Sequence, residues 1–120
     1  MANELDLAGK MVYREGGVGA DLSRGCRVSI TGTQYLRTVQ NIGTSEEALD
    51  VGSLDTLGYC MIINRDPTNF VEIRPGTGVQ DMIKVSPGKF CIFEFADLVT
   101  APYAIADTAA CDIEILIIEV

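Results

Sequence analysis

Cys111 to Val120 reads CDIEILIIEV, and the way its ten side chains divide decides the fold. Taken two apart, Ile113, Ile115 and Ile117 point to one side, and Asp112, Glu114, Leu116, Ile118 and Val120 to the other, which is the alternation of a β-strand. The second side turns from acidic to apolar midway. KFCIFEF, Lys89 to Phe95, behaves in the same way, with Cys91, Phe93 and Phe95 in one row and Phe90 and Ile92 opposite. An antiparallel sheet with one wet face keeps that face polar, so these strands are expected to be covered on both sides. Exposing Phe90, Ile92, Leu116 and Ile118 together would forgo about 1.5–3 kcal/mol for each large side chain. Three covers are open: the second sheet of a sandwich, the chain's own N-terminal segment, or an identical subunit. The last predicts a homo-oligomer, cyclic and possibly trimeric, with Leu116 and Ile118 at the contact.

Working outward, Val28 and Ile30 share one face while Arg27 and Ser29 share the other, so a strand is expected from Cys26 onward. Further strands are expected over Gln34–Ile42, Gly58–Asn64, Phe70–Arg74, Met82–Val85, Lys89–Phe95 and Tyr103–Thr108. Short strands punctuated by Gly, Pro, Asn and Asp predict an all-β, single-domain β-sandwich, jelly-roll-like, over residues 26–120. SEEALDVG, Ser45 to Gly52, opens with a possible cap but meets Gly52 after barely two turns, and reads as a turn or short helical connection. In ADLVTAPYAIADTAA, Pro102 breaks any helix, leaving loop and then strand. Residues 1–25 contain Gly16, Gly17, Gly19 and Gly25 and are expected to form an extended, Gly-rich N-terminal arm. Its Leu5, Leu7, Met11, Val12 and Tyr13 either pack on their own domain or add a strand to a neighbour's exposed edge.

At 120 residues and 48% hydrophobic content, the chain is of single-domain size and outside the disordered classes. Seventeen acidic residues against nine basic give a net charge of −8. That surface repels phosphate backbones and argues against direct nucleic-acid binding. No stretch approaches the roughly 20 apolar residues of a membrane span, and MANELDLAGK lacks the features of a signal peptide, so cytoplasmic synthesis is expected. Cys26, Cys60, Cys91 and Cys111 are far apart in apolar surroundings. They read as four buried thiols, or as two forming a disulfide across neighbouring strands.

The sequence has no histidine, which removes the usual proton shuttle, zinc ligand and triad base. Glu72, Glu94, Glu114 and Asp112 could form a carboxylate pair in principle, but alternation makes Glu94 and Glu114 wet-face residues and no spacing in the sequence places two of the four together. NRDPTNFVEI, Asn64 to Ile73, concentrates oxygen-bearing side chains without the spaced acids of a calcium loop. Asp66 is the sole acid between the flanking strands and Pro67 follows it, so the run is a turn. SPGK, Ser86 to Lys89, is a hairpin turn and not a phosphate loop, and GGVG lacks a dinucleotide setting. No catalytic, cofactor-binding or metal-ligating residue is expected.

With these strands in place, LGYCMIINRDPTNFVEI, VSPGKFCIFEF and TAACDIEILIIE together resemble the small β-sandwich or jelly-roll structural proteins of tailed bacteriophage virions. The resemblance spans roughly Gly58 to Val120. It implies a non-enzymatic decoration, cement or fibre-associated protein, synthesised in the host cytoplasm and located in the virion, where it oligomerises and binds other virion proteins on a capsid or tail. A carbohydrate- or host-receptor-binding β-sandwich module is the alternative. It would commonly use exposed aromatics, and the chain has no Trp and four Tyr. A cupin-like enzyme shares the fold but relies on histidine ligands that are missing here.

Overall fold

The computed structural model describes residues 5–120, in which ten strands and no helix occur. The chain forms two compact units, Met1–Thr31 and Gly32–Val120.

The first unit is a long antiparallel ribbon of β1 (Leu5–Glu15) and β2 (Val18–Val28), paired in register from Leu5 opposite Val28 to Glu15 opposite Val18. Gly16 and Gly17 join the strands with φ of 53° and 83°. Positive φ at both central residues is what a two-residue type I′ turn demands, and its twist matches the flanking strands. The expected extended arm is thus a hairpin: its first half pairs with its own second half. The strand expected to begin at Cys26 ends at Val28, and the unit reaches Thr31, beyond the expected boundary at residue 25.

The second unit is a β-sandwich of two four-stranded antiparallel sheets. β3 (Tyr35–Ile42), β5 (Leu57–Asn64), β8 (Phe90–Glu94) and β10 (Cys111–Glu119) form one in the order β3-β10-β5-β8. β4 (Glu47–Ala48), β6 (Val71–Arg74), β7 (Ile83–Val85) and β9 (Tyr103–Ala106) form the other in the order β4-β9-β6-β7. The first strand pairs with the last, the second with the penultimate, and so inward to the β6–β7 hairpin. A chain folded in half and wrapped across two layers in this way is a jelly roll. The Ser45–Gly52 segment expected as a turn or helical connection supplies the two-residue β4 instead.

Inner-face side chains of both sheets meet in one core. Ile113, Ile115 and Ile117 are fully buried beside Ile62, Cys60 and Ile42 of their own sheet. Val71, Ile73, Val85, Ala104 and Ala106 come from the opposite sheet. The small alanines of β9 face the branched side chains of the other layer in the same buried cluster. At the end of β10 the register shifts between Ile118 and Glu119, bringing Val120 over Gly58. A Cβ at Gly58 would stand 2.2 Å from a Val120 methyl, so only glycine fits there.

Polar groups taken inside are paired. The fully buried Asn64 donates from Nδ2 to the carbonyls of Asn69 and Val85, and its Oδ1 accepts from the Asp66 amide. Asp66 accepts from the amides of Thr68 and Asn69, and these hydrogen bonds hold its carboxyl below the usual range. NRDPTN is therefore a side-chain-stapled turn, as its sequence indicates. Across the other sheet, Arg74 pairs with both Glu46 and Asp81, tying residues 43–47 to residues 75–81. Glu46 also accepts from the Thr77 hydroxyl and the Gly78 amide.

Ile115→Ala is expected to destabilise the sandwich by about 2–5 kcal/mol, since the cavity lies where neither sheet can collapse. Chemical denaturation would measure this, and a change below about 1 kcal/mol would show that β10 is not the core strand. A second expectation concerns acid. The Thr77 hydroxyl, the Gly78 amide and Arg74 hold the Glu46 carboxyl at about 2, against an ordinary 4.5. A folded-state value below the unfolded one gives stabilisation that is complete above pH 4.5 and is lost as pH falls toward 2. The difference in denaturation midpoint between the wild type and Glu46→Gln should therefore shrink over that window. An unchanged difference at pH 2 would contradict the pairing.

Candidate interaction surface

Because side chains alternate, the strands that send Ile113, Ile115 and Ile117 inward send a second set outward from the β3-β10-β5-β8 sheet. The registers arrange that outer set in rows across four strands. Tyr35, Ile118, Tyr59 and Glu94 form one, Arg37, Leu116, Met61 and Ile92 the next, and Val39, Glu114, Ile63 and Phe90 the third. Nine of these twelve side chains are aliphatic, aromatic or Met. Leu116, Ile118, Tyr59, Met61 and Ile63 are half-buried by their neighbours, while Tyr35, Val39, Phe90 and Ile92 are 69%, 53%, 61% and 39% exposed. Within the sandwich unit the opposite sheet covers the inner face alone, so a cover for the outer face has to come from outside the two layers.

The other sheet gives the contrast. Outward from it point Glu72, opposite Lys84, together with Arg74, Ile105 and Tyr103, a mixed surface of the kind solvent accepts. Lys84 also lies 4.4 Å from the centre of the Phe70 ring. One outer face is thus polar and the other apolar.

Three charged residues belong to these rows: Glu94 at the β8 end, and Arg37 and Glu114 within them. Glu114 accepts from Arg37 at 2.8 Å and has Arg65 at 3.9 Å. The Arg37 hydrogen bond, with help from Arg65, keeps the carboxyl below its ordinary range. The pair neutralises the two charges in the middle of the face. At the end of the sheet, Val39, Asn41, Arg65, Asp66, Pro67, Ala110 and Asp112 line a hollow of about 480 Å³. Its acids are engaged, Asp66 by the turn amides and Asp112 by Asn41 at 2.8 Å. A second, more apolar groove of about 350 Å³ runs between the β7 and β8 edges, past Ile73, Met82, Ile83, Phe93, Phe95 and Val99. Its ionisable residues are Arg74 and Glu94.

The residues singled out in the sequence fall in three places. Leu116 and Ile118 lie in the outer rows. Leu5, Leu7, Met11 and Tyr13 share one face of the β1–β2 hairpin, whereas Val12 stands on the other, opposite Asp21. The sequence reading missed the partners on β2, Val18, Leu22 and Val28, although alternation on either side of Gly16–Gly17 signals them. Glu72 faces out from one sheet, and Asp112, Glu114 and Glu94 from the other. Among the described residues, no three Cys, Asp or Glu side chains cluster so as to hold a metal ion. All four cysteines are free thiols. Cys60 and Cys111 are buried and Cys91 partly so, but Cys26 is exposed on the hairpin, contrary to the expectation of four buried thiols.

Compared with models of protein families, with curated protein sequences and with solved structures, the chain has no match. Fold and surface together therefore define it: a jelly-roll sandwich with one apolar outer face, preceded by a hairpin.

Burial pushes the Cys60 thiol up to about 12, with Cys91 adding to the effect, and it raises Cys91 and Cys111 as well. Since the thiolate is the reactive form, Cys60 and Cys111 should resist alkylation up to pH 9 and react only on unfolding. Mass spectrometry of native protein treated with iodoacetamide would show this. Rapid labelling of Cys60 without denaturant would contradict the core packing.

Proposed function

We propose that this protein is a non-enzymatic structural component that associates with itself through the outer face of the β3-β10-β5-β8 sheet and decorates a virion surface, on a capsid or a tail. One observation carries the reading: Tyr35, Val39, Phe90 and Ile92 are exposed around a half-buried block of Leu116, Ile118, Met61 and Ile63. Contiguous apolar surface of that extent marks interaction sites in soluble proteins. Apolar rows inside a polar rim, with Arg37–Glu114 already paired, match the composition of subunit interfaces. The jelly-roll strand order fits the resemblance to bacteriophage structural proteins in the Gly58–Val120 sequence. The net charge of −8 directs the partner surface toward protein and away from nucleic acid.

Phe90→Asp with Ile92→Asp places two charges on edge strand β8, where both side chains already meet water. Stability should therefore fall by only about 1–2 kcal/mol, leaving the fold intact. Light scattering is expected to show the wild type as a multiple of 12.9 kDa and the double variant as a single chain. An unaltered mass in the variant would refute the surface. Cryo-imaging of particles that carry the protein tests the location, which ordered density on a capsid or tail would support. Particles without such density, with the protein only in the soluble fraction, would refute it.

A further inference from the structure

The hairpin presents a second unpartnered apolar face. Its register puts Leu5, Leu7, Gly9, Met11, Tyr13 and Glu15 on the same side as Val28, Cys26, Arg24, Leu22, Ala20 and Val18. Asp6, Lys10, Arg14, Arg27, Ser23 and Asp21 occupy the other side, where Asp6 and Arg27 form an exposed ion pair at 3.1 Å. Met11 and Leu22, directly opposite each other, are 75% and 77% exposed. A two-stranded ribbon alone in water is marginally stable, and an amphipathic one gains most by laying its apolar side on another sheet.

We propose, building on the self-association above, that the apolar face of the hairpin of one copy docks on the outer face of the β3-β10-β5-β8 sheet of a second copy. Charge favours this occupant. Residues 32–120 carry 13 acids and 5 bases, 5 − 13 = −8, whereas residues 1–31 carry four of each and no net charge. Each hairpin stays joined to its own unit of −8, so two copies repel in either arrangement, but docking through the hairpin places an element without net charge at the contact, where sheet face on sheet face would press two −8 units directly together. Size agrees as well. Two eleven-residue strands make a ribbon about 36 Å long and 10 Å wide, a footprint of roughly 350 Å², on a face whose central strand β10 is about 30 Å long. If two copies exchange hairpins, each contributes a hairpin and a sheet patch, roughly 700 Å², close to the about 800 Å² per partner of a stable complex. The contact is heterologous, so a closed ring uses both surfaces on every copy.

The test is complementation between two full-length variants. Met11→Asp with Leu22→Asp disables the hairpin face, and Phe90→Asp with Ile92→Asp disables the sheet face. Each alone is expected to run as a single chain by light scattering. Mixed in equal amounts at concentrations well above those that dissociate the wild type, they should form a pair of twice the chain mass through the one hairpin–sheet contact left between them, a weaker pair with about half the area of the exchanged one. Cys26, on the docking side of the hairpin, should alkylate at least tenfold faster in the sheet-face variant than in the wild type. An unchanged mass in the hairpin variant, or a Cys26 that alkylates no faster in the sheet-face variant, would overturn hairpin docking. In the first of these cases, loss of mass in the sheet-face variant alone would leave the self-association reading standing.

Discussion

Everything in this molecule depends on one strand being apolar on both sides. β10 lies between β3 and β5, and its Ile113, Ile115 and Ile117 are the fully buried centre of the core. Their burial fixes the register, because a slip of one residue would exchange them for Asp112, Glu114 and Leu116 and drive carboxylates into the sandwich. The same fixed register necessarily turns Leu116 and Ile118 outward. Core and apolar outer face are two consequences of a single alternation.

The two sheets then part company. Where Glu72, Lys84 and Arg74 point outward, solvent completes the structure. Where Leu116, Met61 and Ile92 line up with Tyr35, Val39 and Phe90, it does not. The only charged pair within those rows, Arg37 and Glu114, is mutually neutralising. A surface of this kind is costly to leave wet and inexpensive to bury, which is the physical basis for the assembly role we propose. The hairpin repeats the pattern on a smaller scale, with Leu5, Leu7, Met11, Tyr13 and Leu22 on one face and most of its ionic groups on the other.

Much of the sandwich was legible in the sequence. Strand expectations such as Gln34–Ile42, Gly58–Asn64 and Cys111–Val120 lie within one residue of β3, β5 and β10, because period-2 alternation and turn residues are local properties. The Asn64–Asn69 turn was legible for the same reason, although the burial of Asn64 was not, since its partners at Val85 and Asn69 come together only in the folded chain. The hairpin is not legible as one, because four glycines in a short stretch signal flexibility, whereas in the folded chain two of them are the positive-φ residues that a tight turn requires. Val12 was grouped with Met11 and Tyr13 by hydrophobicity alone, but adjacent residues of a strand face opposite ways. Cover for the second face was beyond any single-chain reading, because alternation shows that a face is apolar and not what lies on it.

Sedimentation equilibrium of the wild-type protein over a hundredfold range of dilution tests the central claim most directly. A chain whose last strand is apolar on both sides should sediment as a defined multiple of 12.9 kDa, dissociating only toward the lowest concentrations. A single, well-folded 12.9 kDa species at every concentration would mean that the outer face tolerates water, and would contradict the account.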